Sequence, residues 1–346
     1  MIRSSRAALL LMALAAAAAA CSPDFDEVWQ VKDLRLLAIQ ADPPEVLAST
    51  VITSFPRVTI TALAVDPSDP GRLVDWELWA CTADETSCEE AALSVRVARR
   101  RTRLNQITAG LTLSPGLFAA ALEEDPLKGF GGLAVLMELR IRDTETRIIS
   151  GVKRVVFGLT IPLSLEALSQ GQAGALKLPP AADGAWAGAC KTATPACDPG
   201  LDCLQGRCLK RPNQNPTISG VTVDKQAVGS SWTVSAGEEL PLLPASPGAD
   251  KQPYVVQTFT GGSKQLEEYL TYNFFATSGD LSNPNTGGKP SFIVDNKKTT
   301  DLTSDWTPED LSKAASQQAT VWIVVHDDRG GVGWTELSAQ VQPPKP

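Results

Sequence analysis

Short segments in which apolar and polar residues alternate, each closed by proline, glycine or aspartate, restrict the folding of this chain more than any other feature. Val58-Thr59-Ile60-Thr61-Ala62-Leu63-Ala64-Val65 alternates and stops at Asp66-Pro67. Trp76, Leu78 and Ala80 alternate against Asp75, Glu77 and Trp79, just before Cys81. Leu34, Leu36 and Ile39 lead into Asp42-Pro43-Pro44, and residues 94–98, 133–141 and 148–157 supply further runs with β-branched content. Successive side chains of a strand point to opposite faces, so each run offers one face to a core and the other to water. Repeated short strands with tight breaks predict an antiparallel β-sandwich over residues 31–160. A second set over 215–342 predicts another. It begins with Ile218, Val221 and Val223 and ends on a strand over 332–341 after the tight turn Asp327-Asp328-Arg329-Gly330-Gly331. Short helices are expected over Leu117–Glu124, near Leu165–Ser169, and from Thr307-Pro308-Glu309-Asp310 to about Ser316, the last from its cap, first-position proline and early acids.

Between the two β regions the composition shifts. Residues 161–189 are rich in Ala, Gly, Pro and Leu and read as a linker. Residues 190–210 then hold Cys190, Cys197, Cys203 and Cys208, four cysteines within nineteen residues. So short a segment cannot bury a core of its own, and covalent crosslinks must replace packing. Cys190–Cys203 with Cys197–Cys208, an interlaced arrangement, is one of three pairings that four cysteines allow. A zinc site is the competing reading, but the spacings lack the paired Cys-x-x-Cys of zinc ribbons. Cys81 and Cys88 are placed to close a small loop of their own.

The N-terminus gives an address. Arg3 and Arg6 precede an apolar run from Ala7 to Ala20, which ends at Cys21. A basic start, a short apolar stretch and small residues at the cut describe a signal peptide over 1–20. The run falls short of the ~20 apolar residues a membrane-spanning helix needs. Ala18-Ala19-Ala20-Cys21 resembles the lipobox of bacterial lipoproteins, with Ala18 where leucine is usual. The resemblance implies a cut before Cys21 and acylation of its sulfur, palmitate being a typical chain, with 21–30 as a lipidated tether. Ser22 and Pro23 follow with no Asp at the second position, which by the sorting rule of that family implies the outer membrane, facing the periplasm or the surface. Setting Cys21 aside leaves six of the seven cysteines. Three disulfides are then expected in an oxidising compartment.

Charge and composition exclude several function classes. The formal net charge is −8, and losing Arg3 and Arg6 with the leader takes it to −10. An acidic chain is a poor nucleic-acid binder, which needs a basic face. His326 is the single histidine, so histidine-based metal sites and Ser-His or Cys-His catalysis have little to work with.

Leu34-Arg35-Leu36-Leu37-Ala38-Ile39-Gln40-Ala41-Asp42-Pro43-Pro44-Glu45 resembles the opening of a group of myxobacterial surface lipoproteins. The closing Thr320-Val321-Trp322-Ile323-Val324-Val325-His326-Asp327-Asp328-Arg329-Gly330-Gly331 resembles the end of the same group. The second β region is also similar in outline to PKD-type and cadherin-like sandwiches. These likenesses cover about half the chain and imply fold and location, with no activity attached. The fold expected is therefore mainly β, with two Ig-like/PKD-like antiparallel β-sandwich domains joined by a linker and a small disulfide-rich segment.

Candidate chemistry is sparse. Gly129-Phe130-Gly131-Gly132-Leu133-Ala134 formally matches a dinucleotide fingerprint, but it precedes a strand and opens no helix, so a turn is the better account. Arg96, Arg99, Arg100, Arg101 and Arg103 form a basic cluster, read either as a solvated strand end or as a contact for anionic headgroups, lipopolysaccharide or an acidic polysaccharide. His326, Asp327 and Asp328 at a turn read as structural, with Ca²⁺ binding at the two aspartates as the alternative. Trp232, Trp306, Trp322 and Trp334 read as sandwich core, with sugar stacking as the alternative. No Gly-x-Ser-x-Gly, His-Glu-x-x-His or P-loop is present, and no carboxylate pair is singled out.

The expected function is a non-catalytic, membrane-anchored envelope lipoprotein without cofactor or metal, binding a protein or polysaccharide of the envelope. The alternatives are a structural or assembly subunit of an envelope complex and, behind it, a carboxylate-dependent glycan hydrolase.

Overall fold

The computed structural model describes residues 27–48, 56–83, 87–89, 91, 93–144, 147–159, 184–190, 197–204, 206–245, 251–259, 263–288, 302–312 and 317–344. Cys21, the leader and the helix expected near Leu165–Ser169 lie outside them.

The first β unit contains β1 (Arg35–Asp42), β2 (Glu45–Ala48), β3 (Val58–Val65), β4 (Leu73–Thr82), β5 (Ser94–Arg103), β6 (Thr108–Leu111), helix α1 (Pro115–Glu124), β7 (Leu133–Arg142) and β8 (Ile148–Leu159). One sheet has the order β1-β3-β6 and the other β2-β8-β7-β4-β5. In the larger sheet Trp76 lies opposite Ile141, Leu78 opposite Leu139 and Ala80 opposite Met137. All six are buried and point to the shared core, where Val58, Ile60 and Ala62 of β3 meet them. The period-two alternation thus does what it predicted: one face of each strand fills the space between two sheets. Helix α1 begins at Ser114, whose Oγ accepts from Leu117 N at 3.2 Å, and Pro115 takes the first turn. A serine cap followed by proline is a favoured helix start. Leu117 and Ala121, one turn apart, are its buried face.

A small segment follows, with β9 (Leu201–Leu204) and β10 (Arg207–Lys210) paired as a hairpin. The second unit contains β11 (Gly220–Val223), β12 (Gln226–Val228), β13 (Ser231–Ser235), β14 (Leu240–Ala245), β15 (Pro253–Gln257), β16 (Ser263–Glu267), β17 (Leu270–Ala276), β18 (Asp280–Leu281), β19 (Asn285–Gly287), β20 (Ser304–Thr307), β21 (Gln318–Asp327) and β22 (Val332–Gln342). Its sheets have the orders β12-β11-β14-β20-β18 and β13-β22-β21-β17-β19, with β15-β16 a separate hairpin. Trp306, Tyr272, Phe274 and Ile323 are completely or almost completely buried between them. Trp306 Nε1 donates to Ser278 O at 3.0 Å, which satisfies the one polar atom that its burial would otherwise strand.

The chain is mainly β, as expected, with three departures. First, the sheets are not purely antiparallel: β2 runs parallel to β8, and β13 parallel to β22. Pro43 and Pro44 supply no N–H to continue the β1 ladder, and the chain crosses to the opposite sheet as β2. Second, no helix starts at Thr307. That residue ends β20, paired with Asp280 of β18, and Pro308 O accepts from Gly237 N at 2.9 Å, so the neighbouring ladder holds the segment extended. Third, the end of the expected tether is docked. Trp29 is packed in the core of the second unit, Val31 N donates to Ala276 O at 2.8 Å, and Ala276 N donates to Trp29 O at 3.1 Å.

Candidate binding face and the junction between the units

The outward side of the β2-β8-β7-β4-β5 sheet carries an unusual charge. Because Trp76, Leu78 and Ala80 point inward, Asp75, Glu77 and Trp79 of β4 point outward. The register places Arg96 opposite Trp79, Arg99 opposite Glu77, Arg101 opposite Asp75 and Arg103 opposite Leu73. On the other flank, β7 sets Arg142 opposite Asp75, Arg140 opposite Glu77 and Glu138 opposite Trp79. Strand β8 adds Arg154 beyond Leu136. Among the described residues, seven arginines therefore share one face with three strand carboxylates, and Glu89 of the neighbouring loop lies 3.3 Å from Arg140 Nη1, on a chain whose formal charge is −8. Of the five arginines singled out in the sequence, four are brought together here. Arg100, opposite the buried Trp76, belongs to the other side of the edge strand.

Trp79 sits at the centre of this face. The guanidinium carbons of Arg96 and Arg140 lie 5.5 and 5.8 Å from its ring centre, within cation–π range. Its Nε1 donates to Glu77 Oε2 at 3.1 Å, and Arg99 Nε meets Glu77 Oε1 at 3.3 Å. Arg140 Nε donates to Glu138 Oε1 at 2.7 Å, and Cys88 N donates to Glu138 Oε2 at 2.6 Å. Burial alone would push the Glu138 carboxyl up, but Arg140 and the Cys88 N–H outweigh it and hold it below the usual range. The Cys81–Cys88 disulfide fixes the loop that supplies that N–H. Sequence reading did not select Trp79. The signal was there, since it falls on the polar phase of an alternating strand.

Of the four tryptophans named from the sequence, Trp306 is in the core of the second unit, with Trp232 packed against it at a ring-centre distance of 6.0 Å. Trp322 is buried on the other phase of β21, its Nε1 donating to Glu336 Oε2 at 3.0 Å, and Trp334 is partly buried beside Val324 and Val332. The glycine-rich 129–132 segment is a turn whose Phe130 stacks on Phe259 at 5.0 Å. In the small segment Cys190 is bonded to Cys203 and Cys197 to Cys208. The sulfurs of Cys190, Cys197 and Cys208 lie within 4.8 Å of one another, a closeness that these two bonds explain without a metal.

A second concentration of polar groups joins the three parts of the chain. Glu45, the buried first residue of β2, accepts from Lys210 Nζ at 2.5 Å, Arg329 Nη2 at 2.6 Å and Asn213 N at 2.9 Å. Arg329 Nη1 continues to Glu268 Oε1 at 3.0 Å, and its guanidinium lies 4.8 Å from the Tyr254 ring centre. Asp327 Oδ1 accepts from Arg329 N at 2.8 Å and Gly331 N at 2.6 Å, and its Oδ2 accepts from Asn213 Nδ2 at 3.0 Å. With its oxygens turned to N–H donors, Asp327 organises the β21–β22 turn, which is the structural role read from the sequence. Lys153 Nζ donates to Gly330 O, and Gln40 Nε2 to Val332 O at 2.5 Å. Asn215 Nδ2 donates to Ala41 O at 2.8 Å, while its Oδ1 accepts from Val332 N at 3.0 Å. Ala38 of β1 packs with Val324 and Val332 beside these bonds. His326 is half-buried in β21, and burial first, then the Lys153 charge, keeps it below its ordinary value.

This junction responds to pH. Burial, with the Asp327 charge adding to it, raises Glu268 from 4.5 to about 7 against the opposing hydrogen bonds of Gln252 N and Arg329. A carboxyl whose folded pKa is raised contributes stability fully present below its unfolded value and lost as pH rises through the folded value. Glu268 therefore makes stability fall between about pH 4.5 and 7. Burial lowers Lys153 from 10.5 to about 8, so its contribution is present above 10.5 and lost as pH falls through 8. Glu268→Gln should remove the decline below neutrality. Thermal melts of both proteins from pH 4.5 to 7 check this, and parallel curves would contradict it.

No family model and no curated protein matches the chain. Solved structures give weak likenesses. One is a nucleoside hydrolase-related hypothetical protein from Saccharophagus degradans associated with carbohydrate metabolism, at 12% identity and TM-score 0.22, covering 38% of this chain and 26% of that one. Fibronectin(III)-like modules of Clostridium thermocellum CbhA match at 10% identity and TM-score 0.21, covering 88% of this chain and 95% of that one. Murine CEACAM1b matches at 7% identity and TM-score 0.20, covering 90% and 100%. Likeness at this level carries no fold or function across.

Proposed function

We propose that this chain is a non-catalytic, lipid-anchored envelope protein whose β units form an interaction module for another envelope component or an extracellular polymer. The observation that carries this reading is the outward sheet face, with its surplus of arginines around a half-buried tryptophan. Arginine and aromatic groups, which this face combines, are enriched at contact surfaces. The three disulfides accord with an extracytoplasmic location. Among the described residues no helix is long and apolar enough to cross a membrane, so attachment in this reading rests on Cys21. Glu27 lies six positions after Cys21, a span of at most ~20 Å at full extension. With Trp29 docked in the second unit, that unit is held close to the lipid surface.

Cys21→Ser is expected to move the protein from the membrane fraction to the soluble fraction of broken cells, because stable attachment needs more than one acyl chain on that residue. Wild-type protein that is soluble and unmodified by mass spectrometry would overturn the anchor. Crosslinking in intact cells should recover a discrete partner, and failure to capture one reproducibly would overturn the interaction module.

A further inference from the structure

We propose that the outward face of the β8-β7-β4-β5 array binds an acidic polysaccharide, its guanidinium groups pairing the carboxylates and the Trp79 ring, with Arg96 and Arg140 over it, positioning two of them. This deepens the interaction reading above and rests on it. Arginines on an edge strand have a simpler use, since charge there discourages pairing with another chain's edge. That use accounts for β5 alone. It does not extend to Arg140 on β7 or Arg154 on β8, which are inner strands, or to Trp79 on β4, between β7 and β5.

Three observations select the occupant. The first is spacing: outward residues of one strand repeat every ~7 Å and neighbouring strands lie ~4.8 Å apart. The face is therefore a grid of cations on the scale of successive sugar rings, better matched to a chain of repeated charges than to one compact anion. The second is chemistry: guanidinium groups bind carboxylates through paired, planar hydrogen bonds. The third is the apolar surface on the same face. Leu73, Ile148 and Val152 point outward and are 56%, 51% and 52% exposed, and they suit the C–H faces of sugar rings. Polyphosphate has charge without such faces. A lipid surface would draw on the charge alone, and the N-terminal segment docks on the other unit.

The test uses the mature chain carrying Cys21→Ser, which removes the acyl chains from the comparison. Binding is measured by calorimetry to polygalacturonate and alginate, with dextran, polyphosphate and phosphatidylglycerol vesicles as comparators. Uronate polymers should bind, and more weakly as salt is raised. The triple variant Arg99→Ala, Arg101→Ala, Arg103→Ala should bind about tenfold or more weakly through loss of charge-assisted contacts. These side chains are exposed, so circular dichroism should be unchanged. Trp79→Ala should weaken uronate binding, and Trp79→Phe should restore most of it. The proposal is overturned if the wild-type chain fails to bind either uronate polymer, if polyphosphate or vesicles bind as well, or if the triple variant binds like wild type. A partner captured in cells together with absent polymer binding would sink this inference and leave the interaction module standing. Absence of both would sink both.

Discussion

Glu45→Ala is expected to cost about 3–5 kcal/mol, the range for breaking a buried ion pair by removing one partner. The physical reason lies in what is left behind. Lys210 and Arg329 have side chains only 12% and 10% exposed, and both point at the Glu45 carboxylate. Without it two cations and the Asn213 N–H would face a cavity. Arg329 would keep Glu268, which is held toward its neutral form by burial and so offsets little at pH 6. The loss should appear in urea denaturation. Because Glu45 ties the first unit to the other two parts, the single transition should also broaden or divide as the units melt separately. A loss below about 1 kcal/mol, the range of an exposed pair, would show that the cluster contributes nothing beyond surface charge.

Replacing Cys197 and Cys208 together by serine is expected to cost about 2–4 kcal/mol, in line with closing a short loop. The bonded residues are 11 apart. The segment they stabilise has little else to hold it: its core is Trp186, Leu201, Cys208 and Val255. The effect should extend beyond the segment. Lys210 lies two residues from Cys208 on β10, so the disulfide that fixes this hairpin also positions the ammonium at Glu45. The losses from Glu45→Ala and from the cysteine pair should therefore be less than additive, as for residues in one network. Trypsin cleavage after Arg207 or Lys210 should accelerate in the serine variant. Full additivity, with unchanged cleavage, would mean that the segment and the junction are independent.

Much of the candidate face was legible in the sequence, though incompletely. The run Arg96 to Arg103 is visible because its residues are neighbours in the chain, and the outward phase of Trp79 follows from the inward phase of Trp76 and Leu78. The contributions of Arg140 and Arg154 were not legible. A one-residue change in register would send every side chain of a strand to the opposite face, and register between β4, β7 and β8 is set by packing across sheets. The helix expected at Thr307 failed for a related reason. Its local cap and proline signals are sound, but pairing with β18 and the hydrogen bond from Gly237 to Pro308 hold that backbone extended.

The sequence by itself determined the class of structure: alternation dictates two-faced strands, prolines and glycines dictate where they end, and crowded cysteines dictate crosslinks where no core can form. All of these act between residues close together in the chain. Only the tertiary structure decided that Trp29 belongs to the second core, that β2 and β13 pair in parallel, and that Glu45 meets Arg329 across 284 positions. A buried carboxylate is tolerable only where cations reach it, and which cations do so depends on how the finished units dock.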